Sequence, residues 1–134
     1  MATEGVWDVL VVDDEPVVRE AVCRVLGAAG LSVATARDAA SALAHPALAS
    51  CRLALCDLML PDRTGMDLLA DLRRLRPDLP VVVITGYATA DHAARAREAG
   101  AFDFLAKPFE AEELLTVVRQ ALETRVAAAG EKRS

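Results

Sequence analysis

Five short apolar runs recur along the chain, each separated from the next by a longer segment of helical spacing, and this alternation restricts the fold more than any other feature. The runs cover residues 9–12, 31–34, 53–56, 81–84 and 102–106. Near-continuous apolar runs fit strands buried on both faces of a parallel sheet, whose crossover connections are helices. Between the first two runs, Val18, Ala21, Val22, Val25 and Leu26 repeat at helical spacing, Pro16 suits a first turn, and Gly30 follows where a helix should stop. Residues 38–44 predict a short second helix ended by His45-Pro46, and Leu68, Leu69, Leu72 and Leu75 mark a third that stops before Pro77. An Ala-rich fourth helix with a weak apolar face spans 90–99 and closes at Gly100, while Leu114, Val117, Val118, Ala121 and Leu122 mark a fifth. The expected architecture is a doubly wound α/β domain of five strands and five helices over residues 1–126, with 127–134 as a flexible C-terminal tail.

The bulk numbers agree with one compact domain, since the chain has 134 residues of which 54% are hydrophobic. A net charge of -5 and a pI near 5.0 argue against a surface that binds nucleic acid by neutralising phosphates. Cys23, Cys51 and Cys56 form no cluster of metal-site spacing and read as reduced thiols of a cytosolic protein. The start lacks a basic segment leading into an apolar one, and no run approaches the ~18 apolar residues that span a bilayer. A soluble, cytoplasmic chain with no membrane or direct nucleic-acid partner is therefore expected. His45 and His92 lie away from the strand exits and are expected to face solvent without a role.

In an open parallel sheet, ligands gather beyond the carboxyl ends of the strands where strand order reverses. Here the first strand exits into Asp13-Asp14, the third into Asp57, the fourth into Thr85-Gly86 and the fifth into Lys107-Pro108. Three carboxylates at one edge repel each other, and a hard divalent cation relieves that repulsion. An all-oxygen ligand set suits Mg2+ rather than zinc, which would want His or Cys. Mg2+ in turn points to phosphate chemistry. Taken singly, each residue has a plainer reading: Asp13-Asp14 could cap the first helix, Asp57 could be a turn residue, Thr85 a strand residue and Lys107 a solvated charge. Four such accidents at one edge would be needed, whereas one phosphoryl site accounts for all of them.

These residues resemble the receiver domains of response regulators over about residues 9–122. The opening Val9-Leu10-Val11-Val12-Asp13-Asp14-Glu15, the loop Asp57-Leu58-Met59-Leu60-Pro61-Asp62 with Gly65, and the segments Ile84-Thr85-Gly86-Tyr87-Ala88 and Phe104-Leu105-Ala106-Lys107-Pro108-Phe109 carry the resemblance. It implies a flavodoxin-like sheet of strand order 2-1-3-4-5. It also implies that Asp13, Asp14, Asp57 and the Met59 carbonyl hold Mg2+, that Asp57 is the phosphoacceptor, and that Thr85 and Lys107 bind phosphoryl oxygens beside Gly86, which leaves room for the group. Phe104 stands at the aromatic switch position often held by Tyr, so its rotation is retained without a hydroxyl. The Lys107-Pro108 peptide is expected to be cis.

By the same resemblance the donor is a histidine kinase or phosphotransfer protein, and the readout is the surface of the fourth helix, fifth strand and fifth helix, which controls an output partner and can support a homodimer after phosphorylation. Catalysis is confined to the protein's own phosphorylation and reset. Met59 and Tyr87 are expected to set the lifetime of the acyl phosphate by shielding it from water. A haloacid-dehalogenase-type phosphohydrolase is the first rival, but it needs a second Asp where Met59 stands. The other rival, a receiver-like module that binds without phosphorylation, usually loses the acidic pair, the acceptor or the Lys, and none is lost here.

Overall fold

The computed structural model describes residues 7–86 and 89–133. Five parallel strands, β1 (Val9–Val12), β2 (Val33–Ala36), β3 (Leu53–Asp57), β4 (Val81–Thr85) and β5 (Asp103–Ala106), form one sheet in the order β2-β1-β3-β4-β5. Helices α1 (Pro16–Ala28), α2 (Ala39–Ala44), α3 (Gly65–Leu75), α4 (Ala90–Glu98) and α5 (Ala111–Arg133) connect and cover it. The expected fold class and strand order are both found.

Side-chain alternation along the strands divides the core into two layers. Val9, Val11, Leu53, Leu55, Val82 and Ile84 pack with Val22 and Leu26 of α1 and with Leu114, Val118 and Ala121 of α5. Their neighbours Leu10, Val12, Ala54, Cys56, Val81 and Val83 pack on the other face with Ala39 and Ala42, with Leu68, Leu69 and Leu72, and with Ala96. Because the three central strands are buried on both faces, they are apolar up to the residues that end β3 and β4, Asp57 and Thr85, which is why they stand out as runs.

Elements at the periphery depart from the expectation. Strand β2 begins two residues later than the apolar run that announced it. The chain leaves α1 through Gly30 at φ 89°, and Ser32 is then held by Asp8, so pairing starts only where Val33 meets Val9. An edge strand with half-buried residues carries no continuous apolar signal. A 3-10 turn at Pro46–Ala49 was also not anticipated, and it corrects the reading of His45. The half-buried ring accepts a hydrogen bond at Nδ1 from Ala47 N–H (2.9 Å) and meets Trp7 edge-on at 6.5 Å. His92 is half-buried too. Helix α5 carries helical backbone to Arg133, into the stretch 127–134 expected as a C-terminal tail. Ala127, Ala128 and Ala129 are strong helix formers, and a single Gly130 costs only about 1 kcal/mol.

The loop between β3 and α3 is fastened at several points. Gly65 N–H donates to the Leu58 carbonyl (2.8 Å), Met59 bridges Thr64, and the Asp62 carboxylate accepts from Ala39 N–H (3.0 Å) and Ala40 N–H (2.9 Å) at the start of α2. A Cβ at Gly65 would lie 2.2 Å from the Asp57 carbonyl oxygen and 2.6 Å from Leu58 Cα. Both are backbone atoms, so only a shift of the loop could relieve the clash. Gly65→Ala is therefore expected to lower stability by about 2–3 kcal/mol, toward the upper end for overpacking, read as a reduced urea midpoint. Gly86→Ala, whose Cβ would meet nothing within 4 Å, should stay within about 0.5 kcal/mol of the parent in the same experiment.

Candidate functional site

Parallel pairing brings the carboxyl ends of β1, β3, β4 and β5 to one edge, where Asp13, Asp14, Asp57 and Lys107 meet, with Met59 and Gly86 beside them. Asp13 follows β1, Asp57 and Thr85 end β3 and β4, and Lys107 follows β5, its N–H bonded to the Thr85 carbonyl at 2.8 Å. The Lys107-Pro108 peptide is cis. Asp13, Asp57 and Thr85 are the buried polar residues of the described chain. Asp14 is exposed.

The Lys107 ammonium lies among three carboxylates. It is 2.8 Å from Asp57 Oδ2, 2.7 Å from Glu15 Oε1 and 2.9 Å from Asp13 Oδ2. Burial works against that charge, but Asp13, Asp57 and Glu15 outweigh it and raise the Lys107 pKa above its ordinary value. For Asp13 the balance reverses: burial pushes its carboxyl above the usual range, Asp57 adds to the effect, and Lys107 and the Glu15 N–H pull the other way.

Backbone groups fix both buried carboxylates. Asp57 Oδ1 accepts from Met59 N–H at 3.0 Å, and Asp13 Oδ1 accepts from Glu15 N–H at 2.9 Å. Arg19 also reaches back from α1 to the Asp13 carbonyl at 2.7 Å. The remaining oxygen, Asp13 Oδ2, is fully buried and receives no hydrogen bond, its contact with Lys107 being an ion pair outside hydrogen-bonding geometry. One ammonium thus faces the carboxylates of Asp13, Asp57 and Glu15, which leaves negative charge that a further cation would neutralise. One oxygen from each of Asp13, Asp14 and Asp57 lies within 4.8 Å of the others, so a divalent cation fits this set of hard donors.

Asp14, Glu15, Asp57, Met59, Gly86 and Lys107 line a cavity of about 390 Å3. At about 30 Å3 per water, it has room for a phosphoryl group and several waters. Met59 is 57% exposed at its rim. Thr85 pairs with Ala106 and Val83 with Phe104, so Thr85 and Phe104 share one sheet face, the face that carries α4. Tyr87 lies outside the described residues. Sequence reading noted Glu15 and Asp62 but gave them no role, and it missed Arg19. An acid directly after an acidic pair, with Pro16 behind it, looks like one more helix-start residue, and its partner Lys107 is 92 positions away.

Comparison with known proteins agrees with this geometry. The model of the response regulator receiver domain matches residues 9–119. The nitrogen assimilation regulatory protein NtrX of Azorhizobium caulinodans is 40% identical over 119 residues, covering 87% of this chain and 26% of the relative. The solved receiver domain of NtrX from Brucella abortus superposes with a TM-score of 0.82 at 41% identity, covering 87% of this chain and 99% of that one. The beryllofluoride-activated NtrC4 receiver domain dimer gives a TM-score of 0.82 at 31% identity, covering 88% and 98%. The chain spans about a quarter of the length of the first curated relatives it matches.

Replacing Asp13 by Asn keeps the volume and removes a buried charge, while Lys107 retains Asp57 and Glu15. In chelator, Asp13→Asn should raise stability, read as a higher melting temperature than that of the wild type. Added divalent cation should then stabilise the wild type more than the variant. A variant that melts below the wild type in chelator would show that the Lys107 ion pair outweighs the cost of burial.

Proposed function

The chain belongs to the response regulator receiver domain family, and on that premise we propose that it takes a phosphoryl group onto Asp57 beside a bound Mg2+. The observation that carries the proposal is a buried pair of carboxylates, Asp13 and Asp57, around one ammonium, opening to a cavity sized for phosphate. Asp13, Asp14, Asp57 and the Met59 carbonyl would hold the ion. When bound, Mg2+ would neutralise charge on the transferring group's oxygens.

The chain's own residues do the rest. Met59 N–H holds the Asp57 carboxylate in orientation. A bond forms between an Asp57 oxygen and phosphorus as the bond from phosphorus to the donor's imidazole nitrogen breaks, and the electron pair leaves with the imidazole. Lys107, already 2.8 Å from Asp57, follows the new negative charge. Gly86 presents no side chain to the entering group. Thr85 supplies a hydroxyl from the end of β4, and Phe104 on the same face takes up the space its movement frees, which alters the surface of α4, β5 and α5. The donor is a histidine kinase or phosphotransfer protein, the readout is an output domain or protein, and the activated chain can pair with a second copy. The described residues contain no helix long and apolar enough to cross a membrane.

An acyl phosphate with Mg2+ should add the mass of one phosphoryl group to the wild type and nothing to Asp57→Asn, which should fold normally. No gain in the wild type, or full labelling of the variant, overturns the assignment. Met59 at the rim offers the attacking water no polar group, and Tyr87 is proposed to shield the same approach, so the phosphorylated form should be long-lived. Met59→Asn should hasten its decay after donor removal, each tenfold change corresponding to about 1.4 kcal/mol; slower decay in the variant would show that Met59 does not occlude the bond.

A further inference from the structure

Glu15 sits at the position that usually caps a helix, yet it makes no side-chain cap to α1. Its backbone does local work instead: its N–H orients Asp13, and its carbonyl accepts from Val18 and Arg19. The side chain crosses to Lys107 at 2.7 Å, the shortest of that ammonium's three contacts, and remains 58% exposed while Asp13 is fully buried. A surface carboxylate given up by its own helix and attached to the key cation of the site calls for an explanation beyond solvation.

We propose that Glu15 is a positioning residue that gives the Lys107 ammonium a place to stay when Asp13 and Asp57 turn to a metal ion. The inference rests on the phosphoryl-acceptor reading above. Lys107 is shared among three carboxylates, two of which belong to the set that a divalent cation would use. A cation entering that set competes with the ammonium for the same oxygens. Without Glu15, Lys107 would lose its remaining carboxylate partner just as a like charge arrives, and it would have to leave the site or hold Asp57 back. With Glu15 it stays within reach of the acceptor, partnered, at the rim where the phosphoryl oxygens would appear. Glu15 thus favours the metal-loaded state twice, by retaining the ammonium and by adding negative charge close to the ion.

The test uses Glu15→Gln, with Glu20→Gln on the exposed face of the same helix as a control for simple loss of charge. Two readouts are needed. In metal-free protein, the Lys107 ammonium resonance should exchange faster with water in Glu15→Gln than in the wild type or the control. In a Mg2+ titration followed at the amides of Met59 and Gly86, the dissociation constant should rise two- to fivefold in Glu15→Gln, the scale of a half-exposed ion pair, and stay level in Glu20→Gln. Unchanged exchange together with unchanged affinity, or tighter Mg2+ binding, overturns the proposal. An equal loss of affinity in Glu20→Gln would reduce it to general electrostatics. A wild type indifferent to Mg2+ would instead count against the phosphoryl-site reading, and the metal-free ammonium readout would still decide whether Glu15 holds Lys107.

Discussion

The single ammonium of Lys107 is what allows two carboxylates to be buried at the edge of this sheet. Without it, Asp13 and Asp57 would be like charges in a poorly hydrated cleft, a condition that proteins relieve by protonating one of them. With it, the site is held together and incompletely satisfied: Asp57 is hydrogen-bonded at both oxygens, while Asp13 keeps one buried oxygen without a hydrogen bond. The proposed divalent cation would draw on the excess of negative charge that one ammonium leaves among Asp13, Asp14, Glu15 and Asp57. A fully satisfied cluster would have less to gain from binding one.

The rest of the fold serves that meeting of charges. Parallel strands place all carboxyl ends on one side, and the order β2-β1-β3-β4-β5 sets β1 beside β3, so the acidic pair lies next to Asp57. The pairing of Thr85 with Ala106 then delivers Lys107, one residue later, across the end of β4. A shift of one residue at either pairing would turn these side chains to the opposite face. The apolar runs therefore do more than fill the core, because they fix the register from which the polar exits project.

This explains which parts were legible in the sequence. The three central strands are apolar up to their carboxyl-terminal residues, so they and the polar groups at their exits could be read directly, and Asp13, Asp57 and Lys107 do come together beside the end of β4. Elements whose signal depends on one neighbour were placed less well. Strand β2 pairs only with β1 and carries half-buried and exposed residues, so its start was misplaced by two. His45 depends on Trp7 and Ala47, and Glu15 depends on Lys107, which no local pattern reports. Asp62 is the same kind of case: it is a loop residue by composition, yet it holds the first N–H groups of α2 from 22 and 23 positions away, and those bonds lower its pKa. Periodicity reports burial, and long-range partnership between polar groups leaves no period.

Anchoring is unequal around the site, and the inequality bears on how a local event could travel. The loop that follows Asp57 is fixed by the close approach of Gly65, the bridge from Met59 to Thr64 and the clasp of Asp62 on α2, so the acceptor has little freedom to yield. Helix α4 buries Ala96 alone on the sheet, against four buried residues in α3. At about 25 cal/mol per Å2 of apolar area, an alanine contributes far less to docking than a row of leucines. In the proposed function, a new charge at Asp57 would act on a stiff acceptor loop on one side and, through Thr85 and the shared face of Phe104, on a thinly held helix on the other. Thin docking marks a low cost of local rearrangement, so the proposed response would be taken up toward α4 and β5 before α3.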